Sequence, residues 1–247
     1  MSSISLKNVS VSFPIYTGTT RSLRQEILST LGGKISAHAK TTYVDALHDI
    51  TMEIEQGDRL GIIGHNGAGK TTLLRVLSGI YPPSSGEIKI DGEVTTLTDV
   101  SLGMDVEATG WQNIIFRSVM MGKTYKEARE LSPAIAEFSE LGEFLDLPVR
   151  TYSTGMFMRL AFAISTAFTP DILVLDELIG AGDAAFQTKS LARLQGLLDE
   201  SNIIVISSHN LGIIKSHCTK ALYLGKGSVI AMGGVEEVLE QHRVDNA

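Results

Sequence analysis

Gly64-His65-Asn66-Gly67-Ala68-Gly69-Lys70-Thr71 is the stretch that decides the fold. A glycine, four residues and then Gly-Lys-Thr is the pattern of a phosphate loop. Its glycines let backbone N–H groups approach phosphate oxygens without Cβ clashes. The helix that follows, opened by Thr71 and Thr72, turns its N-terminus to the same anion. In such a loop Lys70 is suited to the β- and γ-phosphates of ATP, and the Thr71 hydroxyl to Mg²⁺.

Working outward, the loop follows an apolar run, Arg59 to Ile63, and opens a helix from Thr71 to Ser78. Leu47 to Ile54 is a further strand, joined to Arg59–Ile63 by the turn Gln56-Gly57-Asp58. Ile4 to Phe13 alternates apolar and polar residues, as a half-buried strand does. Asp91-Gly92, between Ile88-Lys89-Ile90 and Val94, predicts a hairpin. From Thr109 to Leu147 the periodicity is helical. The chain then alternates: helix Met156–Phe168, strand Ile172–Leu175, helix Ala185–Leu198, strand Ile203–Ser207. Helices between short apolar strands imply a mostly parallel sheet covered on both faces, an α/β fold. Two strands around Gly225-Lys226-Gly227 and a helix from Val235 to Arg243 complete the pattern.

Three further stretches carry chemistry. Ile172-Leu173-Val174-Leu175-Asp176-Glu177 is an apolar strand ending in two carboxylates, at the end where an open α/β sheet binds ligands. Asp176 suits Mg²⁺, and Glu177 suits the general base that takes a proton from water. Ser153-Thr154-Gly155 opens a helix and offers either an N-cap or a second anion site. Ser207-Ser208-His209 ends the next strand with an imidazole that is either a contact for a γ-phosphate and the catalytic water or a bystander at a strand end.

Composition sets limits. A net charge of −7 opposes a broad nucleic-acid surface, so no nucleic-acid partner is expected. Cys218 is the sole cysteine and fits a reducing compartment. No stretch approaches the roughly 18 uncharged apolar residues of a membrane span.

Taken in order, these stretches resemble the ATP-binding cassette (ABC) ATPases. That family has a phosphate loop, a helical subdomain, a signature opening a helix, a strand ending in Asp-Glu, a D-loop and a switch histidine, and the resemblance covers nearly the whole chain from Ile4. It implies a P-loop NTPase fold: a mostly parallel core sheet, an antiparallel β subdomain and a helical subdomain at about 109–168, forming one nucleotide-binding domain over 1–247. It also implies a homodimer of nucleotide-binding domains that sandwiches two ATP molecules. The ATP contacts would be Gly64, His65, Asn66, Gly67, Ala68, Gly69, Lys70, Thr71 and Thr72 of one copy, with Ser153 and Gly155 of the other. Glu177 and His209 would be catalytic, Thr71 and Asp176 would hold Mg²⁺, and Asp183 would lie at the dimer seam.

The departures are informative. Thr154 and Met156 replace the usual signature residues, and Leu178 stands where most members have proline. The run Asp176-Glu177-Leu-Ile-Gly-Ala-Gly-Asp-Ala-Ala-Phe-Gln-Thr-Lys189, with Thr109-Gly110, looks like the polysaccharide-exporting branch. The usual Mg-ligating Gln is missing, and Asp99 or Ser101 stands in its neighbourhood. The adenine-stacking aromatic falls on Phe13, with Tyr16 and Tyr43 as alternatives. An insertion at about 16–43 holds Leu23, Ile27, Leu28 and Leu31 at helical spacing, suited to a transmembrane partner or to lipid headgroups. The residues after His209 are too few for a C-terminal carbohydrate-binding domain. The resemblance therefore implies a peripheral ATPase at the cytoplasmic face of the inner membrane. Its partner would be an integral membrane permease that exports a lipid-linked polysaccharide of the O-antigen type. Capsule, teichoic acid or another exported substrate is the alternative, ahead of a soluble non-transport ATPase.

Overall fold

The computed structural model describes residues 1–15, 42–98, 100–176 and 184–245. Asp99, Glu177, Asp183 and nearly all of the expected 16–43 insertion, with Tyr16, lie outside the described residues.

Strand β3 (Arg59–Ile63) is the centre of the molecule. Its apolar run lacks alternation because both faces are covered. It runs parallel to β7 (Ile203–Ser207) on one side and to β8 (Lys220–Gly225) on the other. Beyond β7 lie β6 (Ile172–Asp176) and the short β5 (Val94–Thr96), both parallel. Beyond β8, β9 (Ser228–Gly234) returns antiparallel. The sheet order is β5-β6-β7-β3-β8-β9.

Successive residues of each strand feed opposite cores. Ile172, Val174, Ile203 and Val205 enter one, and Leu173, Leu175, Ile204 and Ile206 enter the other. The first core is closed by helix α1 (Lys70–Leu77) and by a three-stranded antiparallel sheet, β2-β1-β4. Its strands are β1 (Ser3–Ile15), β2 (Thr42–Glu55) and β4 (Ser85–Asp91). The second core is closed by α5 (Ala184–Glu200), α6 (Leu211–His217) and α7 (Val235–Asp245). Each fully buried Leu or Ile stabilises by about 1.5–3 kcal/mol, so these layers hold the strand ends in place.

A third core belongs to the helical subdomain, where α2 (Gly110–Met120), α3 (Tyr125–Ser139) and α4 (Thr154–Ser165) pack around Ile114, Ile135, Leu145 and Leu160. Both α2 and α3 start with reciprocal capping boxes, Thr109 with Gln112 and Thr124 with Glu127.

One expectation is corrected. Asp91-Gly92 does not close a hairpin. β4 pairs with β1, Asp91 opposite Ser3, whereas β5 pairs with β6, Val94 opposite Ile172. The dipeptide carries the chain from one sheet to the other. Gly92 does adopt a positive φ of 125°, which is the conformation the Asp-Gly signal reports. Which strand pairs with which is decided by the free edges of β1 and β6.

Candidate active site

Three neighbouring strands end at one edge of the sheet. Ile63 of β3 runs into the phosphate loop. Asp176 ends β6 in register with Ser207 of β7, and Ser207 is in register with Ile62. The crevice beyond the carboxyl ends of such strands is where open α/β sheets bind ligands.

The loop leaves β3 through a position only glycine fills. A Cβ on Gly64 would sit 2.2 Å from the Leu224 carbonyl oxygen. At its far end Gly69 is the left-handed N-cap of α1, with no side-chain cap. The first N–H groups of α1 are thus left to an anion. The Lys70 ammonium donates to the carbonyls of Gly64 at 2.7 Å and His65 at 3.1 Å, which holds it over the loop. The Thr71 hydroxyl donates to Asp176 Oδ2 at 3.0 Å. His209 follows β7 in a turn fixed by Ser208 Oγ, which accepts from Asn210 N at 3.1 Å, and by Asn210 Oδ1, which accepts from Gly212 N at 2.9 Å.

Gly69, Lys70, Thr71, Asp176, Ser208 and His209 line a cleft of about 820 Å³, whereas Gly64 and His65, also expected at the nucleotide, are not in its wall. Asn66, Gly67, Gly69, Lys70, Thr71, Thr72, Asp176 and Ser207–His209 form one part of its wall. Val44, Asp45, Ala46, His48, Lys226 and Gly227 form the rest. That second group is absent from the sequence-based expectation. No local signal marks it, because β1–β2 pairing and the β8–β9 turn bring it to the loop.

Other expected residues fall elsewhere. Ala68 lies in the floor of the loop, 1% exposed, its N–H bonded to the His65 carbonyl at 3.1 Å. Phe13 is opposite Val44 in the β1–β2 register, but its ring lies edge-on to Tyr81 at 5.5 Å and does not line the cleft. Ser153 and Gly155 are exposed at the start of α4 and also do not line it. Ser153 Oγ accepts from Met156 N at 3.3 Å. Tyr152, just before, is anchored: its hydroxyl donates to the Phe144 carbonyl at 2.7 Å. A Cβ on Gly110 would lie 2.5 Å from the Tyr152 hydroxyl oxygen. Burial, reinforced by the Asp146 carboxylate, pushes the Tyr152 phenol up, so it remains a donor. Nothing in the described fold demands glycine at 155, where a Cβ would meet only Ser153 Oγ at 3.9 Å.

Among the described residues no cluster of three His, Cys, Asp or Glu side chains could hold a metal. The Thr71 hydroxyl and the Asp176 carboxylate are hard oxygen donors side by side. That pair fits Mg²⁺, which takes one or two protein oxygens and completes its shell with phosphate and water.

Residues 47–180 match the family profile described as ABC transporter. The chain is 45% identical over 231 residues to the O-antigen export system ATP-binding protein RfbE of Yersinia enterocolitica, covering 93% of this chain and 97% of that protein. It is 40% identical over 245 residues to the O-antigen export system ATP-binding protein RfbB of Myxococcus xanthus, covering 98% of this chain and 56% of that protein. Among solved structures, a dimeric ATP-binding cassette in a post-hydrolysis state, bound to ADP and Pi, superimposes with a TM-score of 0.66 at 19% identity. The match covers 94% of this chain and 98% of that one.

Proposed function

This chain belongs to the ABC transporter family of ATPases, and we propose that it powers export of a lipid-linked polysaccharide of the O-antigen type across a bacterial inner membrane. One observation carries the cargo: the 45% identity to an O-antigen export ATP-binding protein spans almost the full length of both chains. The described residues contain no helix long and apolar enough to cross a membrane. In this reading an integral permease supplies the path and this subunit sits peripherally at its cytoplasmic face as a nucleotide-binding domain, which the naming of its relatives as ATP-binding proteins of export systems supports.

The chemistry is hydrolysis of ATP to ADP and phosphate. The loop amides and the α1 N-terminus hold the phosphates, and Lys70 neutralises charge at the β–γ bridge. Thr71 and Asp176 would hold Mg²⁺, which would supply positive charge against the phosphates. Asp99 or Ser101 is the candidate for the contact that the family usually makes with Gln. Glu177 takes the proton of the attacking water, and His209 orients that water against the γ-phosphate. Ser153 and Gly155 of a second copy close the site, and Asp183 lies at the seam between copies. The exposure of Ser153 and the open space at Gly155 support this reading, because neither residue serves its own cleft.

Glu177→Gln tests the mechanism. The variant should bind ATP as the wild type does, release phosphate at least about 100-fold more slowly, and elute as a dimer with ATP. Unchanged turnover would remove Glu177 from the general-base role. The cargo is tested by co-purifying the chain with its permease and measuring whether lipid-linked glycan stimulates ATPase activity. Absence of stimulation by O-antigen-type glycan, with stimulation by another polymer, would reassign the substrate.

A further inference from the structure

Lys226 is a cation on the cleft wall that none of these roles uses. It occupies the turn between β8 and β9, where Lys226 has a φ of 48° and Gly227 a φ of 81°. Two successive positive φ values are what a type I′ hairpin turn requires, and such turns favour Asn, Asp or Gly at the first position. A lysine there bears the steric cost of the left-handed region. Residues held in such conformations gather at ligand sites.

The turn is fixed against the phosphate loop. Gly227 N donates to the Ala68 carbonyl at 2.9 Å, and the Gly227 carbonyl accepts from His48 N at 2.8 Å. A Cβ on Gly227 would lie 2.7 Å from the Ala46 carbonyl oxygen, so the approach is close. Lys226 is therefore one residue away from a hydrogen bond to the loop that holds phosphate.

Among the described residues lining the cleft, Lys70 and Lys226 are the lysines, and no arginine joins them. Asp45 and Asp176 oppose them in a chain of net charge −7, so a polyanion here depends on these few cations. Asp176 and His209 mark the end where the γ-phosphate is cut. Lys226 stands instead on the wall with Val44, Ala46 and His48.

We propose that Lys226 pairs with the nucleotide phosphates nearest the ribose, as a second cation complementing Lys70, and sets affinity for nucleoside di- and triphosphates alike. The proposal rests on the cleft being the ATP site.

The test is competition of ATP and ADP against a fluorescent ATP analogue, with thermal melting of the nucleotide-free protein alongside. Lys226→Asn should weaken both nucleotides by the same factor, about 3- to 10-fold, while melting at the same or a higher temperature because Asn suits the turn. Lys226→Arg should restore affinity. A purely structural lysine would move the melting temperature and leave affinity alone. Wild-type affinity for both nucleotides in Lys226→Asn overturns the proposal. Loss for ATP alone would put the contact at the γ-phosphate and also overturn it. Failure of the wild type to bind ATP would overturn the cleft assignment with it.

Discussion

The Thr71 hydroxyl and the Asp176 carboxylate meet at 3.0 Å although 105 residues separate them. Each lies at the rim of the cleft, so neither supports much of the core. Asp176→Asn should therefore keep the native melting temperature within a few degrees and lower the rate of phosphate release by about 100-fold or more, the scale of losing one preorganised charged group. A malachite-green assay beside a melting curve separates the two effects. Cys218 makes the opposite case, a reactive residue type rendered inert. It lies against Ile214 and the backbone of Gly61, and burial pushes its thiol up to about 12, against a smaller opposing effect of Arg59. A raised pKa keeps the proton on sulfur. At pH 8 the native thiol should react with a disulfide reagent about 10³-fold more slowly than the same thiol in the unfolded chain, whose pKa is about 8.5. Fast labelling of native protein would show that the site opens.

Helix α2 is an element whose interior side chains organise what precedes it. Asn113 is fully buried and donates to the carbonyls of Asp105 at 2.8 Å and Thr109 at 3.0 Å, while its Oδ1 accepts from Asp105 N at 2.8 Å. One turn on, the buried Arg117 donates to the Val100 carbonyl and to Ser165 Oγ of α4. The segment from Val100 to Thr109 is thus tied to α2, and α2 to the helix that presents Ser153. Asn113→Ala strands buried backbone groups and should cost about 2–3 kcal/mol in urea unfolding. A loss below about 0.5 kcal/mol would mean water replaces the amide. At the start of α4 the sign reverses. Gly155→Asp adds an acid to the first turn of a helix, which favours the fold by about 0.3–1 kcal/mol, yet under the proposed two-copy site it should abolish hydrolysis by setting a carboxylate against the nucleotide phosphates. Full activity in that variant would remove Gly155 from the site.

For the molecule as a whole, the decisive fact is that widely separated segments, from Val44 to Gly227, converge on the cleft while Ser153 and Gly155 do not line it. A site completed by a second copy makes a specific demand. Lys70→Ala damages the loop, and Ser153→Arg damages the signature; each alone should be inactive. Mixed together, half of the dimers formed would be heterodimers with one intact site, giving roughly a quarter of wild-type activity. A site built within one chain would give none.

Sequence alone determined what is local. The phosphate loop and the apolar strands beside it are each encoded within a few consecutive residues, because glycine conformation and apolar runs act over one turn or one strand. β3 and β7 accordingly run from Arg59 to Ile63 and from Ile203 to Ser207, the spans their sequences predict. Tertiary structure decided what depends on pairing between distant segments. Asp91-Gly92 reads as a hairpin, and only the free edges of β1 and β6 turn it into a passage between sheets. Asp45, His48 and Lys226 carry no motif. They become the second wall of the cleft because Gly227 bridges Ala68 of the phosphate loop and His48 of β2, contacts between residues far apart in the chain.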